Sequence, residues 1–309
     1  MNVLKRVTGT VFVQIKNTVK VQFYSSQTLP KKELEKRQAQ MMARGLPKVK
    51  GIPGVQNIIL VSSGKGGVGK TTTAVNLAVA LKVANSHKSV GLLDADVFGP
   101  SVPLMMNLND TPLLNNENLM EPLENYGVKC MSMGFLIAEE AALIWRGLMV
   151  MQALDKLMRQ VSWGATDYLI VDTPPGTGDT HLSLIQNLPI NGVVLVTSPQ
   201  NAAIDVTRRG ATMFRKMNVP IIGLVENMSS IKCPACLNTV QLFGNAVEDF
   251  AASMGIDLLI RMPLEKEIAN GSDNGVPVVI SKPDSATSVL YKKLSQNVID
   301  FCFNKENIT

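Results

Sequence analysis

The 309-residue chain is 46% hydrophobic and 18% charged with 23 glycines and 16 prolines, which excludes a disordered chain, a collagen-like repeat and a coiled coil. Four cysteines are too few for a disulfide scaffold, and no apolar run reaches the ~20 residues of a membrane-spanning helix. The net charge of +5 sits at the front: residues 1–32 hold six bases and no acid, leaving 24 basic against 25 acidic residues, a body without the excess that grips nucleic acid.

Residues 1–26 scatter bulky apolar side chains (Val3, Leu4, Val7, Phe12, Ile15) among bases and hydroxyls as far as Lys20. That composition is expected of a mitochondrial transit peptide addressing the matrix, whereas a secretory signal has one compact apolar block. Residues 27–56 read as a linker with a short charged helix, Glu33 to Arg44, punctuated by Pro30, Pro47 and Ile52-Pro53-Gly54. Residues 57–303 read as one α/β domain.

That domain opens on a β-branched strand, Asn57 to Ser62, which runs into Gly64-Lys65-Gly66-Gly67-Val68-Gly69-Lys70-Thr71 and then a helical pattern (Ala74, Leu77, Ala78, Leu81). The string fits G-x-x-x-x-G-K-[ST] in its strand-to-helix setting. Its backbone N–H groups wrap a phosphate, Lys70 reaches the β and γ oxygens, and the Thr71 hydroxyl ligates Mg²⁺. Glycines are needed because side chains would collide with the phosphates. The expected ATP-binding residues are therefore Gly64, Lys65, Gly66, Gly67, Val68, Gly69, Lys70, Thr71 and Thr72.

Strands then alternate with helices: Val90 to Asp94, Val128 to Met131, helix Leu148 to Arg159, Tyr168 to Asp172, helix Thr180 to Gln186, Val193 to Thr197, helix Ala202 to Met217, and Ile221 to Asn227. The alternation predicts a mainly parallel sheet flanked by helices on both faces, with ligands beyond the carboxyl ends of the strands. Polar residues gather at those ends. Asp172 reads as the Walker B acid on Mg²⁺, followed by a Pro174-Pro175-Gly176 turn able to sense a γ phosphate. Asp94 and Asp96 end another strand, where acids also serve as ordinary caps; the sharper expectation is Mg²⁺ for Asp94 and orientation of the attacking water for Asp96.

Cys233-Pro234-Ala235-Cys236 places two thiolates at the spacing that grips one metal centre. A closed four-thiolate site then needs distant residues or a second copy of the chain. Spacing leaves iron-sulfur, zinc and a redox pair open. Cys130 and Cys302 lie in apolar patterns and read as buried thiols. His87 and His181 show no ligand spacing and receive no role. Trp145 and the methionines from Met149 to Met158 read as core or subunit surface.

Lys65 stands directly after the first glycine of the loop. With Asp94-Ala95-Asp96 and the string from Asp172 to Asp179, the chain resembles the deviant-Walker branch of P-loop ATPases that includes the Mrp and ParA/MinD proteins. Gly99-Pro100-Ser101, Trp145-Arg146-Gly147, Glu226-Asn227-Met228 and the C-P-x-C pair are similar to Mrp-type iron-sulfur carriers over residues 44–283. Leu148, where many bacterial relatives have Pro, is similar to the mitochondrial members associated with assembly of respiratory complex I. One departure is Ile260-Arg261-Met262, where relatives have a Gly-containing stretch.

The resemblance implies that Lys65 reaches a partner subunit's ATP across a nucleotide-sandwich homodimer, that Asn227 binds adenine, and that the backbone around Pro263 closes that side. It implies a slow ATPase, with Lys65, Lys70 and Asp96 as its catalytic residues. Cys233 and Cys236 of two subunits would hold a [4Fe-4S] cluster for apo iron-sulfur proteins, complex I subunits among them. The competing expectations are a ParA/MinD-like positioning ATPase and a zinc-stabilised scaffold.

Overall fold

The computed structural model describes residues 49–136, 147–241 and 243–306. The transit segment, the charged linker helix and Trp145-Arg146 lie outside the described residues. Among the described residues nine strands form one sheet: β1 (Val55–Ser63), β2 (Val90–Asp94), β3 (Leu123–Asn125), β4 (Val128–Ser132), β5 (Thr166–Asp172), β6 (Gly192–Thr197), β7 (Ile221–Lys232), β8 (Thr239–Val240) and β9 (Leu258–Leu264). Their order is β3-β4-β2-β5-β1-β6-β7-β8, with β9 also paired to β7. All pairings are parallel except β3 on β4 and β8 on β7.

The inner strands are unbroken apolar runs because both faces are covered. Every residue of β2 and β6 is buried, as are Ile58, Ile59, Leu60 and Val61 of β1. Helix α1 (Lys70–Ala84) follows the glycine loop, and the short α2 (Val102–Met105) follows β2. Further along come α3 (Gly147–Arg159), α4 (Asp179–Asn187), α5 (Asn201–Lys216), α6 (Ala246–Met254), α7 (Lys266–Asp273), α8 (Val278–Ser281) and α9 (Ala286–Glu306). α9 packs on α1, and α3 on α4; with the right-handed crossovers that parallel strands adopt, this strand order puts α1 on one face and α3, α4 and α5 on the other. Buried on nearly every side between sheet and α9, α1 shows almost no amphipathic pattern.

Register decides what meets at the strand ends. Asp94 of β2 lies opposite Asp172 of β5, and Val61 of β1 lies opposite Asp172 on the other side. Since β1 and β5 are neighbours, the glycine loop leaves the sheet beside the Walker B acid. Three strands outrun their expected carboxyl ends, β1 by the single residue Ser63. β4 continues to Ser132, and β7 continues past Asn227 to Lys232, where β8 and β9 pair with it and from which the chain passes directly to Cys233.

Candidate nucleotide site and cysteine hairpin

The loop between β1 and α1 is shaped by glycines for different reasons. Gly69 adopts φ +83°, and a Cβ there would lie 2.0 Å from the Asn227 amide nitrogen. A Cβ on Gly64 would strike the α5 backbone at Val206 and Thr207. At Gly66 a Cβ would meet no protein atom, so packing within the chain does not explain its glycine; a loop that admits a phosphate does. The backbone therefore fits the nucleotide that the motif implies.

Lys70 is the centre of charge. Its Nζ donates to Asp172 Oδ1 at 2.6 Å and to the Thr71 hydroxyl at 3.2 Å, and it lies 3.9 Å from Asp96 Oδ2. The Thr71 hydroxyl in turn donates to Asp172 Oδ2 at 2.7 Å. Burial raises the pKa of Asp172 against the pull of Lys70, and raises Asp96 against the same ammonium. Asp94 is raised to about 7 by burial and by Asp172, with Lys70, Ser132 and the Val102 N–H opposing. Three carboxylates share one ammonium, a donor set short of positive charge. A hard divalent cation on the Thr71 hydroxyl and a carboxylate suits that chemistry.

Asp94 itself faces inward. It accepts from the Asp96 N–H (3.1 Å), the Val102 N–H (3.3 Å) and the Ser132 hydroxyl (3.0 Å), and so holds the turn that presents Asp96. Thr72 is half-buried in the first turn of α1. The Lys65 side chain is exposed and makes no hydrogen bond or ion pair with the described residues, while its carbonyl is pinned by the Ser63 hydroxyl at 3.0 Å.

Asn227 is buried at the loop, and its amide donates to the Val68 carbonyl at 2.8 Å. Its β9 partner is Met262, beside the half-buried Pro263. The departure at Arg261 has a local reason: its guanidinium pairs with the largely buried Glu226 of β7 at 3.1 Å and with Glu248 of α6. Burial raises Glu226, and Arg261 opposes that rise.

The C-P-x-C pair forms the tip of the β7–β8 hairpin. The Cys233 N–H donates to Asn238 O and the Leu237 N–H to Cys233 O, both at 2.9 Å. Cys233 is half-buried and Cys236 exposed. Backbone N–H groups of Cys236 and Ala235 aim at the Cys233 sulfur, and the Cys236 thiol adds a further bond; together they hold Cys233 below the usual thiol range. Among the described residues no group of three or more His, Cys, Asp or Glu forms a metal site, so the pair is two ligands and no more. Cys130 and Cys302 are buried, and burial pushes the Cys130 thiol up. Of the methionine run, Met158 is buried and Met149 exposed.

Sequence reasoning missed His181. Its ring is fully buried, with Nε2 3.1 Å from the Ser62 hydroxyl and 3.2 Å from that of Thr173, and burial with nearby Lys70 lowers its pKa to about 4. The signal was its place at the head of the apolar helical stripe His181, Leu184, Ile185, Leu188, directly after the Walker B loop.

The family described as "ParA: NUBPL iron-transfer P-loop NTPase" matches residues 54–299. The "Iron-sulfur cluster transfer protein NUBPL" of Mus musculus is 54% identical over 267 residues, covering 86% of this chain and 84% of that protein. The "Iron-sulfur protein required for NADH dehydrogenase, mitochondrial" of Arabidopsis thaliana is 54% identical over 248 residues, covering 80% and 79%. Among solved structures, a nucleotide-binding protein from Archaeoglobus fulgidus in complex with ADP superposes with a TM-score of 0.64 at 33% identity, covering 76% of this chain and 91% of that one.

Proposed function

The chain belongs to the NUBPL iron-transfer P-loop NTPases, and from that premise we propose that it is a nucleotide-dependent carrier that holds an iron-sulfur cluster on Cys233 and Cys236 and hands it to apoproteins of respiratory complex I in the mitochondrial matrix. One observation carries the reading: Cys233 and Cys236 cap a β-hairpin whose own amides favour the thiolate of Cys233, the form that binds iron. The names of the mouse and Arabidopsis relatives support the cargo and its destination.

Two thiolates per chain match half of a [4Fe-4S] cage, so the cargo is bridged by a homodimer, one hairpin from each subunit. Lys65 supports the same pairing. It lines a cavity of about 240 Å³ together with Met228, Phe243 and Leu264, and Phe243 and Leu264 are 36% and 44% exposed, so a free ammonium and an apolar surface share one side of the chain. Facing copies would place each Lys65 toward the other's nucleotide.

Bound ATP and Mg²⁺ supply binding free energy that differs between open and paired forms. The residues that would hold them are the 64–69 amides and Lys70 for the phosphates, Thr71 and Asp172 for the cation, and Asn227 and Pro263 on the base side. Asp94 acts from behind by fixing the 94–102 turn. Asp96, half-buried near Lys70, orders the attacking water in a slow hydrolysis that resets the dimer.

The test is anaerobic reconstitution with iron and sulfide. Wild-type protein gains the broad visible absorption of thiolate-bound iron and activates an apo iron-sulfur acceptor, whereas Cys233→Ala and Cys236→Ala gain neither. Retention of zinc with no visible absorption would instead support the zinc-stabilised scaffold.

A further inference from the structure

We propose that His181 is a positioning residue that staples the loop after Asp172 to the end of β1, so that Asp172 and Thr71 meet the nucleotide's divalent cation in register. The proposal rests on the nucleotide reading above and adds a residue to it.

His181 closes a short ring. Thr173 follows Asp172 directly, the 174–180 segment carries the Pro-Pro-Gly turn and the start of α4, and His181 returns from α4 to Thr173 and Ser62. The polarity can be assigned. Thr173 gives its hydroxyl proton to the Val61 carbonyl at 3.0 Å, so toward the ring it only accepts, and Nε2 is the nitrogen that carries hydrogen. One N–H thus reaches both the strand that feeds the glycine loop and the turn that leaves the Walker B acid. A parallel backbone bond, Gly176 N–H to Ser63 O at 2.9 Å, ties the same two segments.

A core residue chosen for packing alone would be apolar here. The ring is instead edge-on to Phe214 of α5, with centroids 6.2 Å apart, and its Nδ1 is buried without a hydrogen-bond partner. Leaving a buried acceptor unpaired is a cost that packing does not explain. Fixing Thr173 does explain it, because Asp172 is the next residue and its two oxygens already answer to Lys70 and Thr71. A small rotation of that turn would move Asp172 away from both.

The test compares ATP affinity by isothermal titration with and without Mg²⁺ for wild type, His181→Leu and His181→Gln. Wild type binds ATP more tightly with Mg²⁺. His181→Leu is expected to lose about tenfold of that tightening, which corresponds to about 1.4 kcal/mol, while its Mg²⁺-free affinity stays within about twofold. His181→Gln, whose amide N–H reaches the same hydroxyls, restores the tightening. If His181→Leu does not fold, the isosteric Thr173→Val removes the acceptor and is expected to give the same loss. Full Mg²⁺ tightening in His181→Leu, an equal loss of affinity with and without Mg²⁺, or a Gln variant that behaves as Leu would each overturn the proposal. Wild-type protein with no affinity for ATP would sink the nucleotide reading itself, and ATP binding indifferent to Mg²⁺ would sink only the role of His181.

Discussion

Lys70 and Lys65 sit five residues apart in one loop, yet their surroundings assign them different work. Lys70 is buried among Asp96, Asp172 and Thr71, so Lys70→Ala removes the cation that faces the phosphates and is expected to weaken ATP binding about a hundredfold or more in equilibrium titration. Lys65 is exposed and unpaired among the described residues. Lys65→Ala should therefore keep ATP affinity and lose nucleotide-dependent pairing, read by light scattering with and without ATP. Equal behaviour of the two variants would contradict the division of labour. A second residue gives a pH signature. Burial alone would raise Asp167, but the Lys88 ammonium at 2.7 Å and the Ser89 N–H at 2.8 Å outweigh it and hold the carboxyl below its usual value. The sign follows: stability from this pair is present above the unfolded carboxyl pKa and is lost as pH falls through the folded one. Asp167→Asn should cost under ~1 kcal/mol in urea titrations at pH 7, and the difference from wild type should vanish at a pH below both pKa values.

At the scale of elements, β7 links the two sites. Within six residues it presents Asn227 to the Val68 carbonyl and then delivers Cys233 to the hairpin tip. Met-Ser-Ser-Ile-Lys after Asn227 lacks the apolar run that made the earlier strands legible, so the extension was invisible until pairing with β8 and β9 supplied it. The tip also carries a misfit. Leu237 takes φ +63° and is 64% exposed, a conformation that suits glycine and an exposure that wastes a leucine. In the proposed homodimer, contact with a second subunit would give it a use. Leu237→Gly is expected to change monomer stability by no more than ~1 kcal/mol, because relief of the left-handed strain offsets the added chain entropy. The same change should weaken the iron-loaded dimer in sedimentation; an unaltered dimer would remove Leu237 from the interface.

For the whole molecule the expectations concern assembly and address. Reconstituted protein should hold about four iron atoms per dimer, two per chain, as four thiolates require. Iron analysis alongside mass by light scattering checks this, and four irons on a monomer would exclude bridging. A fusion of residues 1–30 to a fluorescent reporter should enter the mitochondrial matrix, and the chain lacking them should stay outside; diffuse cytosolic reporter would remove the address. Among the described residues no helix is long and apolar enough to cross a membrane.

The apolar strands as far as Asn227, the longer helices between them, the glycine loop and the spacing of the cysteine pair were legible along the chain, because each is a local pattern: a buried apolar run, a loop that admits a phosphate, two thiols three positions apart; β3, β8, β9, α2 and the helices from Ala246 onward were not read. What lies between elements was not. Asp94 reads in isolation as a metal ligand, yet its oxygens are taken by Ser132 of a neighbouring strand and by two backbone N–H groups of its own turn. Arg261 reads as a break in a familiar stretch, and only strand pairing reveals Glu226 beside it. His181 reads as a lone imidazole until β1 and β5 lie side by side and bring Ser62 and Thr173 to one nitrogen. Contacts such as Asp94 with Ser132, 38 positions apart, and Ser62 with His181, 119 apart, depend on strand register and on the spacing of helix from sheet, quantities that periodicity along a chain does not carry.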